Sequence, residues 1–185
     1  EKQVLAYRFG TSVDVDSFLI VLGFLIALYD VLRNVAGPAF LPVFLGAIEE
    51  RGRDGALVFA GGIACACAAL MGAVGVLVYG GASAFVAPAL APGLGPEGQE
   101  LTARLLRLVI PTLLPLGGAA ITYLVFNGFG RFFVPAFGEL SFKVCGSAAL
   151  VALVVSARVG IDVLVAGYLV GGFSMLAIHL IGLGP

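Results

Sequence analysis

Long, almost uninterrupted apolar runs alternate with short polar breaks along this chain. A membrane-crossing helix needs about 20 mostly apolar residues, and the runs have that scale. Residues Glu1 to Phe9 read as the tail of a helix, closed by Gly10-Thr11-Ser12. Asp16 and Ser17 are suited to cap the next helix, since short polar side chains accept from free N–H groups at a helix start. That helix is predicted over about Ser17 to Ile48. It contains Gly37-Pro38 and Pro42, so a kink or break is expected near Asn34 to Pro38. Glu49 to Asp54 reads as a solvated loop, and a third helix as Ala56 to Tyr79. Gly80 to Gly98, rich in Gly, Pro and Ala, reads as a re-entrant or interfacial excursion followed by a loop. A fourth helix is predicted from Pro96-Glu97 through Pro111 to Phe126, then a tight turn over Asn127 to Arg131. A fifth covers Phe133 to Val155, a turn Ser156 to Asp162, and a sixth Val163 to Ile181. The expectation is therefore an all-α polytopic transmembrane bundle, with five complete spans and the end of another, in one domain over residues 1–185. The runs lack the apolar–polar alternation of barrel strands. Short connections predict antiparallel neighbours.

Composition removes the soluble alternative. Hydrophobic residues make up 61% and charged residues 11% of the 185 residues. Mean hydropathy is +1.12. A soluble domain of this size has too little interior for so much apolar surface. A net charge of -1 provides no basic surface, so no nucleic-acid partner is expected. Cys65, Cys67 and Cys145 lie in apolar runs without zinc or redox spacing and read as small buried hydrophobes. No cofactor or metal is expected, and no catalytic constellation is present, neither a nucleophile triad, nor H-E-x-x-H, nor a phosphate-cradling loop with its Lys. Because the chain opens on Glu1 within a helix-like stretch, it is expected to be part of a longer protein.

Charges at membrane depth cost several kcal/mol unless paired or hydrated, roughly 2.5 and upward, so they mark the candidate site. Asp30 and Arg33 are spaced i, i+3 on the second helix, and Glu139 and Lys143 are spaced i, i+4 on the fifth. One reading is two clusters lining a hydrated cavity that holds a charged headgroup. The other is two self-neutralising intrahelical pairs, or pairs that snorkel to the interface. His179 is expected at the interface near a helix C-terminus. Arg104 and Arg107 read as an interfacial pair or as phosphate contacts. Gly167-x-x-x-Gly171 has the form that permits close helix contact. Arginine placement favours the loops bearing Arg51, Arg53 and Arg131 as cytoplasmic, with Arg8 and Arg158 opposite.

Several segments, in register over nearly the whole chain, resemble a known family. Phe9-Gly10 with Asp16-Ser17-Phe18 resembles the fG-x5-DaF signature of the lipid II flippases, the MurJ or MviN family of the multidrug/oligosaccharidyl-lipid/polysaccharide exporter superfamily. Ala39-Phe40-Leu41-Pro42-Val43 resembles its AFvPv segment, and Ala91-Pro92-Gly93 its APGf loop. Pro111, Asn127, Arg131-Phe132 and Pro135-Ala136-Phe137 recur in its order. The resemblance covers the first six helices of a fold of about fourteen in two lobes. It implies alternating access that moves a polyprenyl-diphosphate-linked saccharide across the bacterial cytoplasmic membrane for peptidoglycan synthesis. Its implied partners are membrane lipids, the lipid-linked saccharide, and a C-terminal lobe or other membrane subunits. Asp16 matches a functional acidic position and would act as a gate or coupling carboxylate. Arg33 and Lys143 would contact the headgroup, Asp30 and Glu139 would tune them, Arg131 would cap the cytoplasmic turn, and Asn127 in that turn is a further transport or headgroup-binding candidate. The sequence departs from the family where an Arg pair is expected mid-way along the second helix. Tyr29 and Asp30 stand there, reversing the local field. A second reading is therefore a degenerate relative serving as a structural subunit of a larger membrane complex.

Overall fold

The structure, a computed structural model, describes residues 12–156 and 160–184. The expected helical tail at Glu1 to Phe9, with Arg8, and the position of Arg158 lie outside them. The described residues are helical and contain no strand. The first helix, α1, spans Val13–Gly81 and holds one residue with non-helical dihedrals, Gly52, at φ 68° and ψ -178°. A left-handed φ is cheap only for glycine. Here it reverses the chain, so that α1 is a hairpin of two arms, residues 13–51 and 53–81. Phe40 on the first arm stacks on Phe59 of the second, with centroids 6.3 Å apart. The loop expected over Glu49 to Asp54 is thus a one-residue corner. The polar residues there are exposed around the corner.

The break expected at Asn34 to Pro38 is absent. Pro38 and Pro42 sit inside the first arm without any residue leaving helical dihedrals. A proline removes one N–H bond, which a helix packed along its length tolerates in a membrane. The excursion expected over Gly80 to Gly98 is also corrected. Helix continues as a π-helical segment, Ala82–Val86, and a short helix α2, Ala87–Leu90. Only residues 91–95 form a turn before α3, Pro96–Val109. Gln99 fastens that turn, its side-chain amide donating to the carbonyls of Ala91 and Leu94 at 3.3 and 3.1 Å. Glycine and alanine content suggested a loop here, but in lipid an apolar backbone is satisfied best by helix.

A single 3-10 turn, Ile110–Thr112, holds Pro111 and joins α3 to α4, Leu113–Gly128. The stretch Pro96–Gly128 is the most enclosed of the long apolar helices. It runs beside both arms of α1. Gly98 of α3 lies against Val13, Gly37 against Leu124, and Gly128 against Phe44. On the returning arm, a Cβ at Gly117 would lie 2.8 Å from the Cys67 carbonyl oxygen, so these two backbones touch. Small residues allow this in lipid, where packing and not water exclusion holds helices together. Helices α5, Phe133–Val155, and α6, Asp162–Gly182, follow as expected. They form a close pair. A Cβ at Gly171 would lie 2.9 Å from the Phe142 carbonyl oxygen. The weak Gly167-x-x-x-Gly171 signal therefore does mark a packing face. Helix α6 also packs through Gly172 on Thr112 of the 3-10 turn and Pro115 of α4.

Four helical stretches among the described residues are long and apolar enough to cross a membrane. The reversal at Gly52 divides the first into two arms, each longer than the roughly 20 residues a span needs. Large apolar side chains such as Val58, Leu77 and Phe85 face outward, as lipid permits. The chain is an all-α membrane helical bundle.

Candidate functional site

The described residues enclose a cavity of about 290 Å³ between the first arm of α1 and α5. Its floor is Leu116, Tyr168 and Met175, and its walls carry Tyr29, Asp30 and Arg33 from α1, with Glu139 and Lys143 from α5. At 1.5 Å per residue, Glu139 stands about 9 Å and Lys143 about 15 Å along α5 from Phe133. Lys143 is therefore near the midpoint of a spanning helix.

Arg33 organises this wall. One guanidinium nitrogen lies 2.9 Å from a Glu139 carboxylate oxygen, and the other lies 3.7 Å from Asp30. Tyr29 and Tyr123 present their rings to the guanidinium carbon at 5.7 and 5.1 Å. The delocalised cation suits ring faces and carboxylates together. The i, i+4 pairing of Glu139 with Lys143 is thus replaced by a bridge between helices. Glu139 turns to Arg33, and among the described residues no carboxylate lies within 4 Å of the Lys143 ammonium. Arg33 is preferred because its fork can serve Glu139 and Asp30 at once. The structure therefore does not contain two separate self-neutralising pairs.

The other sequence candidates lie elsewhere. Asp16 is exposed near the start of α1 and lines a shallow groove with Leu19, Leu90 and the Ala91-Pro92-Gly93 turn. Two of the resembling segments thus meet in space, far along the helix from the cavity. Asn127 and Arg131 shape the turn after α4. The Asn127 carbonyl accepts from the Gly130 N–H at 3.0 Å, and the Phe126 carbonyl from the Arg131 N–H at 2.8 Å. Gly130 has φ 67°, which only glycine adopts cheaply. This turn shares an end of the bundle with the α1 corner, since the Arg53 guanidinium lies over the Phe129 ring at 5.7 Å. At the opposite end Arg104 pairs with Asp162, and Arg107 donates to the Ser83 hydroxyl at 2.6 Å.

His179 stands in the last turn of α6, near the helix C-terminus as expected, but its side chain is turned into the bundle. It is fully buried between α4, α5 and α6, with Nδ1 2.8 Å from the Thr122 hydroxyl. A Cβ at Gly138 would lie 2.5 Å from its Nε2. The Thr122 hydroxyl also reaches the Gly118 and Ala119 carbonyls, at 3.2 and 3.1 Å. Sequence reasoning missed this node and the Tyr29–Arg33–Tyr123 sandwich. The i, i+4 spacing of Tyr29 and Arg33 was a usable signal. Nothing in sequence ties Tyr123 or Thr122 to partners on other helices.

No group of three or more metal-ligating side chains occurs among the described residues. Chemically, the cavity offers one bridged cation, one unbridged cation, a partly exposed carboxylate and two phenol rings in apolar surroundings. Comparison with protein families matches residues 5–184 to the family described as Lipid II flippase MurJ. No curated protein matches the chain.

Proposed function

This chain belongs to the Lipid II flippase MurJ family, and from that premise we propose that it is one lobe of a flippase that moves a polyprenyl-diphosphate-linked saccharide across the bacterial cytoplasmic membrane. The observation that carries the proposal is the charged cavity at membrane depth. Charge within an apolar bundle is costly, and it is kept where it is paired or lines a path for something polar. Here four charged side chains line one space of about 290 Å³.

The mechanism follows from that space. The saccharide headgroup would leave water for the cavity while its polyprenyl chain stays in lipid, lowering the cost of carrying polar groups across hydrocarbon. Lys143, lacking a carboxylate partner, would meet anionic oxygens directly. Arg33 would act through its hold on Glu139, and Asp30 would tune both cations. Rocking of this lobe against a second one, around the cavity, would alternate its opening. Asp16, beside the 91–95 turn, would couple or gate at one end. Asn127 and Arg131 would hold the turn at the other, the side assigned to the cytoplasm by Arg51, Arg53 and Arg131. Membrane lipids and a second lobe are the partners of this reading, with no catalysis.

One observation favours a different role. Tyr29 and Asp30 replace the expected Arg pair, and the remaining Arg33 is neutralised by Glu139. A lobe that no longer transports would serve as a structural subunit of a larger membrane complex. Flux of a fluorescent lipid-linked saccharide in vesicles holding the full-length protein separates the two. Transport requires movement above protein-free vesicles that falls when Lys143 becomes Ala. No movement, with the protein recovered in a fixed complex, supports the structural role.

A further inference from the structure

The charges that line the cavity balance. Asp30 and Glu139 oppose Arg33 and Lys143. They are not equally committed. Arg33 and Glu139 are joined at 2.9 Å, and two tyrosine rings flank the guanidinium. Asp30 touches Arg33 only at 3.7 Å and is 46% exposed, while Lys143 is exposed on the same cavity. One carboxylate and one ammonium are thus left for a ligand.

A diphosphate alone would gain from Lys143 and be repelled by Asp30. A ligand that carries both an ammonium and an anionic oxygen group satisfies both. We infer that this cavity is a zwitterion site, taking the part of a headgroup that bears a primary amine beside a carboxylate or phosphate. The inference rests on the reading of the cavity as the headgroup path. Two sources carry that chemistry: an amino-acid or peptide substituent on a lipid-linked saccharide, and a phosphoethanolamine lipid headgroup. Electrostatic complementarity of this kind selects among ligands more than it adds affinity.

The test is binding to the purified full-length protein by native mass spectrometry, with four probes. They are dioctanoyl phosphatidylethanolamine, its N-acetylated form, dioctanoyl phosphatidylglycerol and geranylgeranyl diphosphate. The free amine should raise affinity about tenfold over phosphatidylglycerol, and N-acetylation should remove the gain. Asp30→Asn should abolish the amine preference and Asp30→Glu should retain it. Lys143→Gln should weaken all four probes. Equal or tighter binding of the diphosphate or phosphatidylglycerol overturns the inference, as does an amine preference that survives Asp30→Asn. Competition assigns the source. Displacement of phosphatidylethanolamine by a peptide-bearing lipid-linked saccharide, and not by its peptide-free form, upholds the site as saccharide-directed. Failure of both to displace it upholds the site as directed to phospholipid. Flux separates this inference from the flippase reading. Movement of lipid-linked saccharide without any amine preference rejects the zwitterion site alone. An amine preference without movement of any lipid rejects the flippase reading alone.

Discussion

Arg33 on the first arm of α1 reaches Glu139 on α5 at 2.9 Å, across 106 residues of sequence. The bridge ties two helices that otherwise stand on opposite walls of the cavity. Both side chains are about one third exposed, so solvent screening limits its strength. A double-mutant cycle with Arg33→Ala and Glu139→Ala, read by thermal unfolding in detergent, should give a coupling of about 1 kcal/mol. A coupling indistinguishable from zero would mean that the cavity walls hold their places without the bridge.

Lys143 and Arg33 should respond differently to loss. Lys143 makes no ion pair among the described residues, so Lys143→Ala should leave the unfolding temperature within a degree or so while reducing lipid flux about tenfold or more. Arg33→Ala should lower both, because it strands Glu139 and uncovers two rings. Flux unchanged in Lys143→Ala would remove that residue from the path.

Gly171 gives a direct test of the α5–α6 contact. A methyl there would meet backbone of Phe142 at 2.9 and 3.1 Å, which cannot swing aside. Gly171→Ala should destabilise by roughly 1–3 kcal/mol. Gly61→Ala, on the returning arm of α1 with nothing within 4 Å of the new methyl, should be neutral or slightly stabilising. Equal melting temperatures for the two variants would contradict the packing described.

The Thr122–His179 contact should be worth its removal cost. With both groups buried, Thr122→Ala leaves Nδ1 of His179 without a partner and should cost about 1–3 kcal/mol. Thr122→Ser, which keeps the hydroxyl, should recover most of it. If Ser and Ala behave alike, the methyl and not the hydroxyl is what α4 uses there.

The helices of this bundle were legible because apolar runs of spanning length have few other solutions. Phe133–Val155 coincides with its run from first residue to last. Boundaries failed where local propensity was weighed as if water were the solvent. Pro38 and Pro42 did not break α1, and the Gly- and Ala-rich stretch after Tyr79 stayed helical as far as Leu90. Lipid penalises an unpaired peptide group more than it penalises a poor helix former. At the cavity, sequence spacing singled out Asp30, Arg33, Glu139 and Lys143, which line one space, but paired Glu139 with Lys143 where it bridges to Arg33. Intrahelical spacing is blind to Arg33, which arrives from a different helix. The burial of His179 was missed for a similar reason, since its position near the end of α6 does not reveal that α4 and α5 enclose it.

The corner at Gly52 bears on how this protein is oriented. A connection of one residue leaves no slack between the two arms of α1 once both are helical, so in the folded protein they move as one unit with the tip at one end. That tip carries Arg51 and Arg53, and moving two such cations through hydrocarbon is the costly alternative. A fixed tip of this kind would anchor the orientation of both arms at once.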